Sequence, residues 1–188
     1  MSPDTSPGAL ASPDDVIEFW LAAGHDKWFS KDAAFDQEIR ARFARTHADA
    51  AAGHFSDWEK TPRSAAALVI LLDQFSRNMF RGDARTYAAD AMARAVADRV
   101  IGRGFDMQLP DPLRYFCYMP FMHSEALADL ERCIDLFRWL GDAEGMKYAE
   151  HHADIVRRFG RFPHRNALLG RATTPEEQAF LDGGGFGG

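Results

Sequence analysis

Nowhere in this chain of 188 residues does an apolar/polar alternation persist for more than a few positions, so the mark of a half-buried strand is missing. That lack points to an all-α fold. No apolar stretch approaches the roughly 20 residues needed to span a bilayer. A basic surplus is missing too: 22 Lys+Arg stand against 28 Asp+Glu, giving a net charge of -6. An acidic surface argues against nonspecific partnership with nucleic acid or anionic membranes. Cysteine is scarce, and Cys117 and Cys133 sit in helix-like patterns without metal-type spacing. They read as small core residues of a reducing compartment. The opening "MSPDTSPGALASPDD" has no basic segment followed by an apolar one, so a cytoplasmic location is expected. No G-x-S-x-G turn and no Walker-type phosphate loop occur, and no cofactor is expected.

Helix punctuation, in contrast, recurs. "SPDDVIEFW" offers Ser12 as N-cap, Pro13 at the first helical position and Asp15 three residues on, with Val16, Phe19 and Trp20 on one face. Phe35, Ile39 and Phe43 form the stripe of a second helix. "TPRSAAALVILLDQF" has too few polar positions for a surface helix and is expected to be central. In "TYAADAMARAVADRV", Ala88, Ala91, Met92, Ala95, Val96 and Val100 are expected to face inward. Pro110, Pro112 and Pro120 punctuate the next segment, with a break or kink expected near Met119. Beyond it His123, Leu127, Leu130, Ile134 and Phe137 make one stripe, and Tyr148, His152, Ile155 and Phe159 another. Thr174 and Glu177 frame a capping box around Pro175. Short connections imply antiparallel neighbours, hence about seven or eight helices as stacked hairpins or an irregular bundle. The organisation expected is a flexible segment 1–11, one all-α domain over 12–182 and a mobile Gly-rich tail over 183–188.

Three places put polar groups where packing would otherwise claim the surface. In "DQFSRNMFRG", Asp73 and Arg77 are four apart with the acid nearer the N-terminus, the favourable order for a helical ion pair. These residues either form a structural network ending a buried helix, or project Arg77, Asn78 and Arg81 into a cleft as anion ligands, since a guanidinium fork meets a carboxylate or phosphate through two hydrogen bonds. In "PFMHSE", His123 falls on an apolar stripe and is either a satisfied core residue or part of a site. Glu125, two residues on, would lie on the opposite side of a regular helix and pair poorly with it. From Arg157 to Arg171 the chain carries five arginines, one histidine and no acid. That reversal of sign either neutralises acidic helices elsewhere or forms an anion pocket with Arg161, His164 and Arg165 on a loop shaped by Gly160 and Pro163. The adjacent His151 and His152 point about 100° apart on a helix and chelate poorly, so no metal is expected.

"VIEFW", "DQFSRNMFRG", "YMPFMHSE" and "RFGRFPHRNALLGRATTPEEQAFL" together resemble an uncharacterised bacterial family, domain of unknown function 924, from about Val16 to Leu181. The resemblance implies a tetratricopeptide-like helical fold and supplies no activity. The positions it marks are Asp73, Gln74, Arg77, Asn78, Arg81, His123, Glu125, Arg161, His164, Arg165 and Asn166. The family pattern has an acid after "HSE", where this chain has Ala126.

Three functions follow. The first is a binding module holding an anionic small molecule or peptide carboxylate in one shared cleft, with Arg77, Asn78, Arg81, Arg161, Arg165 and Asn166 as ligands. The second is a cofactor-independent enzyme on an anionic substrate, with His123 or His164 as acid or base and Glu125 a further candidate. The third is a scaffold whose polar cluster is purely structural. Pairing of hairpin faces into a homo-oligomer is left open.

Overall fold

Side-chain caps start the helices where the sequence places them. Ser12 and Asp15 form a reciprocal capping box, Thr61 accepts from the Ser64 N–H, and Thr174 and Glu177 repeat the box near the C-terminus. The structure, a computed structural model, describes residues 10–188; of the expected flexible segment 1–11, residues 1–9 lie outside it. Eight α-helices are present among the described residues: α1 (Pro13–Trp28), α2 (Ala33–Ala51), α3 (Pro62–Met79), α4 (Asp90–Gly102), α5 (Asp111–Met122), α6 (Leu127–Leu140), α7 (Ala143–Phe159) and α8 (Pro175–Asp182). There is no strand among the described residues. The fold is all-α, as its patterning requires. None of these helices is long and apolar enough to cross a membrane.

Within the span 12–182 expected as one domain, the chain forms two compact units. One runs up to Arg81 and continues from Arg85 to Pro120; the other comprises Gly82–Ala84 and Phe121–Gly188. In the first unit α3 is central, contacting α1, α2 and α4. Every residue from Ala65 to Ser76 is buried, so the helix can carry polar groups only where partners meet them. Aromatic rings fill the space beside it. Trp20 meets Phe116 edge-on at 5.2 Å, and Phe43 tilts against Phe75 at 4.8 Å, geometries worth about 0.5–1.5 kcal/mol each beyond area burial. The face of α4 differs from expectation. Ala93, Val96, Ala97 and Val100 point inward, with Ala89 just before the helix, whereas Ala88, Ala91 and Ala95 are exposed. Alanines on both sides give little hydrophobic contrast, so packing on α3 selects the face.

In the second unit the break falls later than Met119. Pro120 sits inside α5, and the chain leaves helical geometry only between Met122 and Leu127. The turn is fixed by Ser124, whose Oγ accepts from the Ala126 N–H at 3.1 Å and donates to Asp129 at 2.6 Å. His123 and Glu125 therefore lie outside α6, and His123 does not belong to the Leu130–Ile134–Phe137 stripe. On α7, His152 and Ile155 are buried as expected, but Tyr148 is half exposed. The helices α6 and α7 form a tight antiparallel hairpin about the turn Gly141–Asp142. Gly145 makes that closeness affordable: a Cβ there would stand 2.6 Å from the buried Phe137 ring.

Gly145→Ala should therefore lower stability. The clash costs about 1–3 kcal/mol, against a gain of about 1 kcal/mol in helix propensity. Gly102, with open space around a Cβ, is the control: Gly102→Ala should leave stability unchanged or raise it. Urea denaturation of the two variants decides, and equal behaviour would show that the hairpin contact is slack.

Candidate functional site

The apolar run of α3 ends in polar residues because two neighbouring helices supply carboxylates there. Asp73 is fully buried, and both its oxygens are engaged, one by Arg77 at 3.0 Å and one by the Gln74 amide at 2.6 Å. The Arg77 guanidinium also donates to both oxygens of Asp90, the first residue of α4, at 3.0 and 3.2 Å, and to the Asp73 carbonyl at 2.8 Å. Burial pulls the Arg77 pKa down, but the carboxylates of Asp73 and Asp90 more than offset it, and the net shift is upward. Asp36, in the first turn of α2, takes two bonds from Arg81, at 2.7 and 3.0 Å, and one from Asn78 at 2.8 Å. Arg77, Asn78 and Arg81 are thus held by acids of their own unit. Asp36 and Asp90 carried no signal in the sequence, because both pairings join different helices.

A second polar group in this unit is His47 of α2, whose Nε2 lies 2.7 Å from Ser76 Oγ of α3. Burial lowers its pKa from 6.5 to about 4, so it is neutral in the folded protein.

In the second unit, Gly160 ends α7 with a left-handed φ of 71°, a conformation that suits glycine, and Pro163 opens a 3-10 turn over Pro163–Arg165. This loop brings several expected residues together. Glu125 accepts from the Phe162 N–H at 2.7 Å and from both terminal nitrogens of Arg171, at 2.7 and 3.0 Å. Burial raises its pKa, yet the Arg171 hydrogen bonds, the Phe162 N–H and nearby Arg165 bring the net shift below the usual carboxylate range. Arg171 also donates to the Phe162 carbonyl and to Asn166 Oδ1. Buried Arg165 donates to the His123 carbonyl at 2.9 Å and lies over the Phe162 ring at 4.6 Å.

Glu177 is the second anchor. It takes Arg161 through two bonds, at 2.6 and 2.9 Å, as well as the Asn166 amide and the Thr174 N–H. Arg161 first, then the Thr174 N–H, lower its pKa from 4.5 to about 2. Sequence alone gave Glu177 a capping role and passed over Arg171. Its membership of the same basic run was the available signal. Ala126 opens α6 with no side-chain cap, and the neighbouring Ser124 supplies the polar contacts of that turn.

Beside this network lies an open hollow of about 310 Å³ lined by Arg158, Phe159, Arg161, Thr174, Glu176 and Glu177. Arg158 is half exposed, makes a long 3.5 Å contact with Glu176 and lies over the Phe159 ring at 4.6 Å and the Phe180 ring at 5.8 Å. Among the described residues no three His, Cys, Asp or Glu side chains are grouped to hold a metal. His123, His151 and His164 all lie close enough to His152 to disfavour its charging, although burial is the main reason its pKa falls to about 3.

A family model described as a bacterial protein of unknown function, domain of unknown function 924, matches residues 16–185. A solved structure of a protein of unknown function from Agrobacterium tumefaciens is 48% identical, with a TM-score of 0.88, covering 91% of this chain and 97% of that one. Comparison with curated proteins finds no match.

Proposed function

The chain belongs to the bacterial family domain of unknown function 924, and since that membership carries no activity we propose, from the chemistry of its second unit, that it binds a small anion, a carboxylate or phosphate. The observation that carries this reading is the hollow of about 310 Å³ where Arg158 and Arg161 flank the N-terminus of α8. Two guanidinium forks offer paired N–H donors to a carboxylate or phosphate. Arg161 is already committed to Glu177, so it supplies field and position. Arg158, with its weak hold on Glu176, is the fork free to turn to a ligand. Asn166 and Arg165 act behind it, fixing Glu177 and the loop. At Arg77, Asn78 and Arg81 an anion would have to displace Asp90 or Asp36, which makes these positions the weaker ligands. The free, buried thiols of Cys117 and Cys133 support placing this binding protein in the cytoplasm.

Thermal denaturation with inorganic phosphate or succinate tests the reading, with chloride at equal ionic strength as control. A ligand at ten times its Kd stabilises by about 1.4 kcal/mol, which raises the midpoint by about 3–6 °C. Arg158→Ala should abolish that rise while destabilising the ligand-free protein by about 0.5–1 kcal/mol, the contribution of its stacking over Phe159, since its ion pair with Glu176 contributes little. If Arg158→Ala responds like the wild type, or if neither anion shifts the wild type, the hollow is not an anion site.

A further inference from the structure

The tail "GGGFGG" reads as a linker by composition, yet at Gly185 and Gly188 a side chain would press on its neighbours. A Cβ on Gly185 would lie 2.5 Å from the Phe180 carbonyl oxygen and 2.6 Å from the Phe180 ring. One on Gly188 would lie 3.0 Å from the His164 ring, and Gly184 adopts a left-handed φ of 79°. The N–H groups of Gly183, Gly184 and Gly185 continue from α8 by donating to the carbonyls of Ala179, Leu181 and Phe180. This path delivers one side chain, Phe186, against three imidazoles. Its ring centroid is 4.5 Å from His152, 5.1 Å from His164 and 5.9 Å from His151, edge-on to each. Phe162 backs the same group, at 5.5 Å from His152 and 5.7 Å from His164.

We propose that His151, His152, Phe162 and His164 form a receptor site for an aromatic side chain carried on a small-residue backbone, and that residues 183–188 are its tethered occupant. Three imidazoles meeting the Phe186 ring edge-on, with Phe162 packed behind two of them, give a seat built of rings at fixed angles. The close approach of Gly185 restricts the occupant to a bare backbone just before the aromatic residue, and that of Gly188 favours a small residue two positions after it. A partner segment of the form Gly-Gly-Phe-Gly-Gly would compete for this seat, and the tail would regulate access to it. The site is separate from the Arg158 hollow, so either can fail without the other.

Two measurements on the purified protein test this. In the full chain, Phe186→Ala should move the imidazole proton signals of His151, His152 and His164, because the ring that shifts them is gone. In a chain ending at Asp182, the peptide Gly-Gly-Gly-Phe-Gly-Gly should move the His152 and His164 signals saturably. The full chain should respond only at higher peptide concentrations, because a short tether presents its own occupant at an effective concentration on the order of millimolar. Titration to about 10 mM therefore covers the range. Replacing Phe by Ala in the peptide should remove the effect. Unmoved imidazole signals in Phe186→Ala would overturn the seating of the tail. A docked tail combined with no saturable peptide response would overturn the receptor site, leaving 183–188 as a packed chain end.

Discussion

Arg77→Ala should lower the stability of this protein by about 3–5 kcal/mol, the range for removing one partner of a buried ion pair. The substitution strips a guanidinium from two carboxylates at once. Asp73 is fully buried, and Asp90 is close to it in the same network. Asp73 keeps the Gln74 amide as a donor, but a neutral donor does not offset the loss of a charge in a low-dielectric setting. Arg77→Lys should recover only part of the loss, since an ammonium cannot span Asp90 with two parallel bonds while holding Asp73. Urea denaturation of the two variants measures both effects. A loss below about 1 kcal/mol for Arg77→Ala, as for an exposed pair, would mean that water reaches the site freely. The same variant separates roles: if Arg77 is structural, the phosphate response assigned to Arg158 persists once measured against the lowered midpoint.

Stability should also fall as the pH drops from 6.5 to 4.5, a window that belongs to histidines. His47 and His152 have folded pKa values lowered from 6.5 to about 4 and about 3, mainly by burial. Between those values and 6.5 the unfolded chain binds protons that the folded chain refuses, so stability is present above 6.5 and withdrawn as the pH falls. Each group contributes about 1.4 kcal/mol per pH unit, so the two withdraw on the order of 5 kcal/mol across the window. The carboxylates held by arginines act lower. Glu125 and Glu177 have folded pKa values below 4.5, so their contribution is lost only as the pH falls beneath that value. His47→Gln, which keeps a hydrogen-bonding amide for Ser76, should remove about half of the dependence between pH 6.5 and 4.5. Constant stability of the wild type across that window would show that both imidazoles take up protons without unfolding.

Local interactions were legible in the sequence because their partners lie within a turn or two of one another. The capping boxes at Ser12–Asp15 and Thr174–Glu177, the Asp73–Arg77 pair and the burial of α3 follow from spacing and composition alone. The inward face of α4 was misread because alanine surrounds that helix, and the place of His123 was misread because Ser124, not Pro120, sets the turn. By itself, then, the sequence determined that the chain is all-α, where α1, α3 and α8 begin, and which segments carry concentrated charge. Tertiary structure alone decided that Asp90 and Asp36 answer Arg77 and Arg81, that Glu125 and Glu177 hold the 161–171 loop, and that Phe186 seats among imidazoles. Those choices join residues far apart in the chain, and spacing says nothing about them until helix packing has brought the partners within hydrogen-bond or van der Waals reach.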